Sequence, residues 1–235
     1  MRDIARGAGL KGEKRQRLVE AAIEEFNEYG LENASYNRII ERSGLSKGSV
    51  YYYFDNKDAL LGTVMEEIGK RLIEAVPERP LPKDPRGFWQ TVWDYRRMEF
   101  EFFASNVSLG RVLIMSLGNH DLAAGDTEGL SAPLASLIQR QTRLLRRGQE
   151  IGAIRGDVGI DVIFQLMRAV DRALCVAFFG REAEDMEKLS GEERTRRSSD
   201  YAGLFRDLIT RMLLPEDAFV SGAAVGVWRT ALACG

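Results

Sequence analysis

Apolar residues recur at helical spacing along most of the chain, and glycine, proline or charged residues separate the repeats. The pattern predicts a succession of helices and no other regular element. Their approximate limits are 13–29, 36–43, 47–53, 57–76, 88–105, 107–117, 131–151, 161–179 and 200–214. We therefore expect an all-α protein.

Residues 35–57 predict two short helices joined by a tight turn. Ser35 can cap the first helix, because its hydroxyl accepts a free amide of the opening turn. Gly44 can end that helix in the left-handed conformation, and Ser46 can cap the second helix, which ends near Tyr53. Two short helices with a glycine in the turn are typical of a helix-turn-helix, whose second helix lies in the DNA major groove.

The second helix divides into two faces. Val50 and Phe54, four residues apart, should pack inward. The outward residues are Lys47, Gly48, Ser49, Tyr51 and Tyr52. Gly48 costs a helix about 1 kcal/mol relative to alanine, which suggests close approach to a DNA backbone.

Asn56 should cap the next helix, with Lys57 in its first turn. A cation is unfavourable near the positive end of a helix, so we expect Lys57 to contact a DNA phosphate. We expect the same of Tyr51, while Lys47 and Ser49 should face base edges.

Residues 15–62 resemble the DNA-binding domain of the tetracycline-repressor (TetR) family of bacterial regulators. The residues that carry the resemblance are Ala21, Ala22, Phe26, Gly30, Ser35, Ile39, Gly44, Ser46, Lys47, Gly48, Tyr51, Tyr52, Phe54, Asn56, Lys57 and Leu60. Tyr53 departs from the His of many members. The candidate DNA-contacting residues are Ser35, Tyr36, Asn37, Ser46, Lys47, Gly48, Ser49, Tyr51, Tyr52, Tyr53 and Lys57.

The resemblance implies a homodimer that binds double-stranded operator DNA and responds to a small-molecule effector. It divides the chain into a flexible basic arm (1–14), the DNA-binding domain (15–62), a ligand-binding and dimerisation domain (63–214) and a tail of unknown role (215–235). It also implies that the last two helices form a four-helix bundle with the twofold mate. The candidate interface residues are Leu166, Val170, Leu174, Phe178, Phe205, Leu208 and Met212.

The helix predicted over 88–105 carries more aromatic surface than one packing face requires. Tryptophan and tyrosine combine an apolar body with a polar group, which suits a pocket that must orient its ligand. The candidate ligand-binding residues are Trp89, Trp93, Tyr95, Phe100, Met115 and His120. The polar stripe of this helix (Gln90, Asp94, Arg97 and Glu101) lies opposite, so we expect a mainly apolar effector.

The charge of the chain gives little support to DNA binding as a whole. The formal net charge is −2, and residues 1–60 hold ten basic and ten acidic side chains. The basic residues nevertheless concentrate near the N-terminus, where an arm could touch DNA. The same segment contains a GxGxxG between Gly7 and Gly12, but no strand precedes it, so a dinucleotide site is not expected.

Two cysteines, Cys175 and Cys234, form no CxxC pair, and His120 is the only histidine. These counts disfavour a disulfide framework and a zinc site, and we expect no metal or cofactor. No signal peptide opens the chain and no apolar run approaches the ~18 residues of a membrane span. A cytoplasmic protein is expected.

Three classes of function remain to be weighed. The first is a ligand-responsive regulator, most simply a repressor, although activation and corepression fit the same architecture. The second is a DNA-binding module whose C-terminal half only dimerises. The third is a helical-bundle enzyme, which lacks a recognisable catalytic cluster. A cavity in residues 88–180 would separate the first class from the second.

Overall fold

A computed structural model of the chain describes residues 12–117, 130–177 and 188–215. Within these ranges it contains helices and connecting turns but no strand, which confirms the all-α prediction. The helices are α1 (Glu13–Asn33), α2 (Tyr36–Ser43), α3 (Lys47–Tyr53), α4 (Lys57–Ala75), α5 (Pro85–Ser105), α6 (Val107–Leu117), α7 (Ala132–Glu150), α8 (Ile160–Val176) and α9 (Gly191–Leu213).

The predicted caps around α2, α3 and α4 are confirmed. Ser35 accepts from the amide of Arg38, Ser46 from that of Ser49 and Asn56 from that of Ala59. Gly44 ends α2 at φ 67°, a conformation that favours glycine. Each short helix is therefore delimited by its own side chains.

The helices α1, α2 and α3 close around one small hydrophobic core, to which the first turns of α4 contribute. Its fully buried residues include Leu18, Phe26, Ile39, Val50 and Phe54. The inward face predicted for Val50 and Phe54 is confirmed. This N-terminal core holds α3 so that its opposite face points away from the protein.

A second core lies among α5, α7, α8 and α9, around the buried rings of Phe88, Phe164 and Phe205. The two cores meet at α6, because Leu109 and Val112 belong to the N-terminal core while Val107 belongs to the second. A helix shared in this way can carry a displacement from one core to the other.

Three helix limits differ from the predictions. α1 continues past Gly30, where φ is 74°, for one further turn. α5 begins at Pro85 because proline is well suited to a first helical turn, and Asp84 caps it through the amide of Gly87. α9 begins at Gly191 rather than near 200, since Ser190 and Glu193 form a capping box within the predicted polar loop.

Several predictions concern residues outside the described ranges. They are the basic arm except for its last three residues, the loop with His120, the interface candidate Phe178 and the tail beyond Pro215.

Candidate nucleic-acid interface and effector pocket

Buried Glu25 of α1 fixes the helix-turn-helix from beneath. Its side chain is 0% exposed. It accepts hydrogen bonds from the Ser35 amide and from Nε of Arg38, each at 2.8 Å, and Arg42 lies 3.7 Å away. Burial opposes its charge, but the hydrogen bonds from Arg38 and Ser35 lower the pKa of Glu25 overall. The carboxylate thereby attaches α2 to α1.

Tyr36 joins α2 to the end of α3. Its hydroxyl donates to the carbonyl of Phe54 at 2.6 Å, and burial raises the pKa of Tyr36 to about 12. Its ring meets that of Tyr51 edge to face, with centroids 5.2 Å apart. Tyr36 thus supports the recognition surface from within.

The outward side of α3 carries polar groups that no described residue satisfies. Lys47 and Gly48 are exposed, and Tyr52 is 73% exposed, which is unusual for so large an aromatic ring. No described residue bonds to the Lys47 ammonium or to the hydroxyls of Ser49 and Tyr52. These groups, with exposed Asn37 of α2, are available to an external partner.

Gly48 has no internal reason to be glycine. A Cβ built on it would meet no atom within 4 Å, and its φ is not positive. A glycine in the middle of a short helix weakens it. Close approach by something outside the chain is the remaining physical reason for a glycine here.

Three of the predicted contact residues have evident internal roles or partial cover. Ser35 and Ser46 use their hydroxyls as helix caps. Tyr53 is half-buried and packs edge to face against Tyr52 with centroids 4.9 Å apart. A cap at the start of α3 still leaves the Ser46 side chain exposed.

Lys57 does not face outward as predicted. Its Nζ donates to the carbonyls of Leu31, Glu32 and Ala34 at 2.7, 2.6 and 3.3 Å. These three bonds occupy every donor of the ammonium. The positive charge offsets the negative C-terminal end of α1, which compensates for its unfavourable place at the start of α4.

Arg17 joins the candidate interface, although periodicity alone did not single it out. It is exposed on α1, and its Nη1 reaches within 4.0 Å of the position that a Cβ of Gly44 would take. Its neighbour Arg15 turns the other way and pairs with Glu67 at 3.0 Å. Arg17 therefore lies beside the turn that introduces α3.

A cavity of about 170 Å³ opens among α5, α6, α7 and α8. Most of its wall is apolar: Phe100, Phe103, Leu113, Ile114, Leu134 and Leu137. A smaller neighbouring cavity of about 100 Å³ shares Leu72, Leu137 and Ile138 with it. A cavity of ~150 Å³ can hold a molecule the size of benzene, so the larger one has room for a ligand.

The predicted ligand-binding residues differ in where they lie relative to the two cavities. Phe100 lines it, and Tyr95 lines the smaller neighbour. Trp89 and Trp93 line neither; they stack at 4.9 Å, and Trp89 is buried in the second core. Met115 packs against the N-terminal core instead.

The cavity also contains charge, contrary to the expectation of an apolar site. Arg96 pairs with Asp171 of α8 at 2.7 Å and with Glu99 at 2.9 Å. Burial raises the pKa of Glu99 despite Arg96. Burial also raises the pKa of the Cys175 thiol, and nearby Asp171 adds to this effect. The predicted polar stripe of α5 did not include Arg96 or Glu99.

An uncovered apolar face runs along α8 and α9. Val162, Leu166, Val176, Leu204 and Leu208 are between 39% and 52% exposed. Exposed Ala169 and Ala173 extend the face on α8. Half-buried Val170 and Met212 border it, whereas Leu174 and Phe205 differ from their predicted place at the interface: they are buried in the chain's own core.

No helix among the described residues is long and apolar enough to cross a membrane. Over the same residues, no group of three or more His, Cys, Asp or Glu side chains is arranged to hold a metal ion.

Comparison with known proteins finds a family match in the N-terminal domain. Residues 18–64 match the model described as "Bacterial regulatory proteins, tetR family". The HTH-type transcriptional regulator BetI of Escherichia coli is 35% identical over 71 residues, which cover 30% of this chain. The chain spans 36% of the length of the curated relatives that it matches first.

Solved structures share the fold over most of the chain. SmeT, the repressor of the Stenotrophomonas maltophilia multidrug efflux pump SmeDEF, matches with a TM-score of 0.59 and 17% identity over 86% of this chain and 91% of its own. FadR of Bacillus subtilis, solved with stearoyl-CoA, matches with a TM-score of 0.56 and 17% identity over 81% and 96%. Residues 18–64 therefore match the DNA-binding domain model of the tetR family, and most of the chain shares the fold of these solved structures.

Proposed function

We propose that this protein is a homodimeric, DNA-binding transcription regulator, most simply a cytoplasmic repressor that a small-molecule effector releases from a palindromic operator. The observation that carries the proposal is α6, which lines a ligand-sized cavity on one side and completes the core of the helix-turn-helix on the other.

DNA would meet the outward side of α3. Lys47 and Ser49 stand where they can reach base edges, and Gly48 lets the helix approach closely. Tyr51, Tyr52 and Arg17 surround this point and would contact the phosphate backbone. Lys57 takes no part, because its donors hold the end of α1.

The exposed face of α8 and α9 supports a twofold dimer. A self-complementary contact repeats each residue across the axis, and this face offers exposed leucine, valine and alanine side chains. Such a dimer would hold two recognition helices about one DNA turn, ~34 Å, apart.

Two contacts connect the cavity to the DNA-binding domain. The side chain of Asn27 on α1 donates to the carbonyl of Ser108 on α6 at 3.1 Å. On the other side, a Cβ at Gly69 of α4 would lie 2.8 Å from Pro133 and 3.2 Å from Leu134, which lines the cavity. Both contacts hold the neighbouring helices close together. A ligand that favours a different position of α6 or α7 would therefore shift α1 and α4.

A cavity-filling variant tests this function. Leu113→Trp places an indole in the cavity from α6, so it should bind operator DNA yet no longer release it with compounds that release the wild type. Leu81→Trp, on an exposed residue outside the cavity, is the matched control and should respond normally. Compounds that release both variants equally would contradict an effector site in this cavity.

A module that only dimerises is the second candidate, and the uncovered α8–α9 face supports it equally well. The cavity favours the ligand-responsive reading, because a purely structural domain has no need to leave that volume unfilled.

A further inference from the structure

Two arginines of the cavity lack a counterion among the described residues. Arg168 and Arg172 both line the cavity from α8, four residues apart and thus on one side of that helix. Neither makes a hydrogen bond or an ion pair with any residue in the described ranges. Phe164 offers Arg168 only a distant ring, 5.9 Å from its guanidinium.

The one nearby carboxylate of α8 is already engaged. Asp171 is paired with Arg96 at 2.7 Å, and Glu99 is paired with the same arginine. Asp171 attracts Arg168 electrostatically but does not form an ion pair with it. Among the described residues, the cavity wall therefore holds three guanidinium groups against two carboxyl groups.

The net charge of these described lining residues is positive whether or not Glu99 is protonated. With both carboxyl groups ionised, the lining has one excess positive charge, and a protonated Glu99 would make it two. Burial raises the pKa of Glu99 and lowers that of Arg168, as is usual for charged groups that are poorly compensated.

Arg168 and Arg172 lie on a different helix from much of the apolar wall. Arg172 is exposed and Arg168 is half-buried, so the two arginines differ in their exposure to solvent along this wall of the cavity. Phe103, Ile114 and Leu134 lie on the other helices of the wall. An elongated ligand could thus bury an apolar part while its polar end stays near α8.

We propose that the effector is an amphipathic anion, whose carboxylate or phosphate is held by Arg168 and Arg172 and whose apolar part fills the cavity between α5, α6 and α7. Guanidinium groups bind such anions through charge-assisted, often bidentate hydrogen bonds. The proposal rests on the effector function proposed above and specifies the chemistry of that same site.

Three probes of equal chain length separate charge from apolar fit: octanoate, 1-octanol and octylamine. Calorimetric titration into the full-length wild-type protein should show that octanoate binds about tenfold or more tightly than octanol, since a charge-assisted hydrogen bond contributes at least this factor. Octylamine should bind most weakly. Methyl octanoate, which keeps the carbonyl without the charge, should behave as octanol does.

The variant Arg168→Gln should remove most of the preference for octanoate, and the double variant with Arg172→Gln should remove it fully, without weakening octanol. Arg146→Gln is the matched control, because Arg146 is exposed on α7 and lines neither cavity. Circular dichroism would verify that each variant is folded, and Arg168→Lys, which keeps the charge, should retain part of the preference.

Equal binding of octanoate and octanol, tighter binding of octylamine, no binding of octanoate, or an octanoate preference that survives the double variant would each overturn the proposal. Phosphate that binds at this site as tightly as octanoate would show that the apolar part contributes nothing, and would overturn the amphipathic assignment. The operator complex distinguishes the two proposals. Arginine-dependent octanoate binding that leaves DNA bound would sustain the anion site and contradict the effector function. Release of DNA by apolar compounds whose binding does not depend on either arginine would sustain the effector function and contradict the anion site.

Discussion

The helix-turn-helix and the cavity differ in where their uncompensated polar groups point. In the N-terminal domain, the buried charges are matched internally: Glu25 by Arg38 and Arg42, and Lys57 by three carbonyls. The free groups lie outside, on α3. In the cavity wall, half-buried Arg168 and exposed Arg172 have no ion-pair partner among the described residues. A rigid body with an outward polar face suits a large preformed partner such as DNA, whereas inward free charge suits a small ligand.

Breaking the proposed dimer should have the largest effect, because the dimer would hold two recognition helices together. Leu208→Glu places a charge on the uncovered face of α9, where a twofold contact would bury it twice. We expect monomers and at least about a hundredfold loss of operator affinity, the factor that two unpaired charges readily cost. Analytical ultracentrifugation and DNA binding measure both. Leu81→Glu, on an exposed residue between α4 and α5, should remain dimeric; a dimeric Leu208→Glu protein would refute the assigned interface.

The internal matching of the N-terminal domain depends on Glu25. Glu25→Leu leaves the Ser35 amide and Nε of Arg38 without their acceptor and removes the carboxylate near Arg42. It should lower the free energy of unfolding by about 3 kcal/mol, at the lower end for a broken buried pair. Glu25→Gln should cost less, because an amide oxygen can still accept from Ser35. Denaturant unfolding compares the two. Equal stability of all three proteins would show that the network is not needed.

The same carboxylate gives the domain a pH dependence. The pKa of Glu25 is lowered in the folded state. Its stabilisation is therefore complete above the ordinary pKa of glutamate and is lost as the pH falls through the lowered value. The thermal stability of the wild type should fall below about pH 4.5, and that of Glu25→Gln should fall less. A parallel decline in both proteins would assign the acid sensitivity to other groups.

A substitution of Gly48 should change folding stability and DNA affinity in opposite directions. A Cβ meets nothing within 4 Å, so Gly48→Ala should raise stability by up to about 1 kcal/mol. The same methyl group would obstruct a closely approaching DNA backbone, and we expect about a tenfold loss of operator affinity. Thermal melting and a DNA titration on one sample give both numbers. Stability and affinity rising together would exclude close approach at this position.

The two lysines at the ends of the recognition region should behave oppositely. Lys47→Ala should relax base preference at one operator position and lower affinity modestly. Lys57→Ala should lower stability by about 1.5 kcal/mol, because a charged hydrogen-bonding group is lost. It should leave the salt dependence of binding unchanged. A phosphate contact by Lys57 would instead reduce the slope of log affinity against log salt by about 0.9.

Local chemistry explains how much of this could be predicted from the sequence. A capping side chain bonds to an amide only three residues away, so Ser35, Ser46 and Asn56 were enough to predict where α2, α3 and α4 begin. Ser190 and Glu193 carried the same signal for α9, but the surrounding polar composition favoured a loop. The partners of Lys57 lie more than twenty residues away along the chain. No local pattern indicates such a bond.

The cavity was harder to predict from the sequence, because it too depends on residues that are distant along the chain. Which side of α5 faces a void depends on α6, α7 and α8, not on the composition of α5. Aromatic content pointed to Trp89 and Trp93, which pack in the core, while Arg96 and Glu99 line the cavity. Similarly, Leu166 and Leu208 lie on the exposed face whereas Leu174 and Phe205 are buried, a division that requires the packing of α8 and α9.

Selection of bound DNA from a random pool by the full-length protein tests the central claim most directly. A twofold dimer with α3 as its reading helix should enrich an inverted repeat whose half-site centres lie one or more helical turns apart, in multiples of about 10–10.5 base pairs. Lys47→Ala should alter the enriched base at a symmetric pair of positions. Enrichment of no sequence, or of a single unrepeated site that Lys47→Ala leaves unchanged, would contradict a dimer that reads DNA through α3.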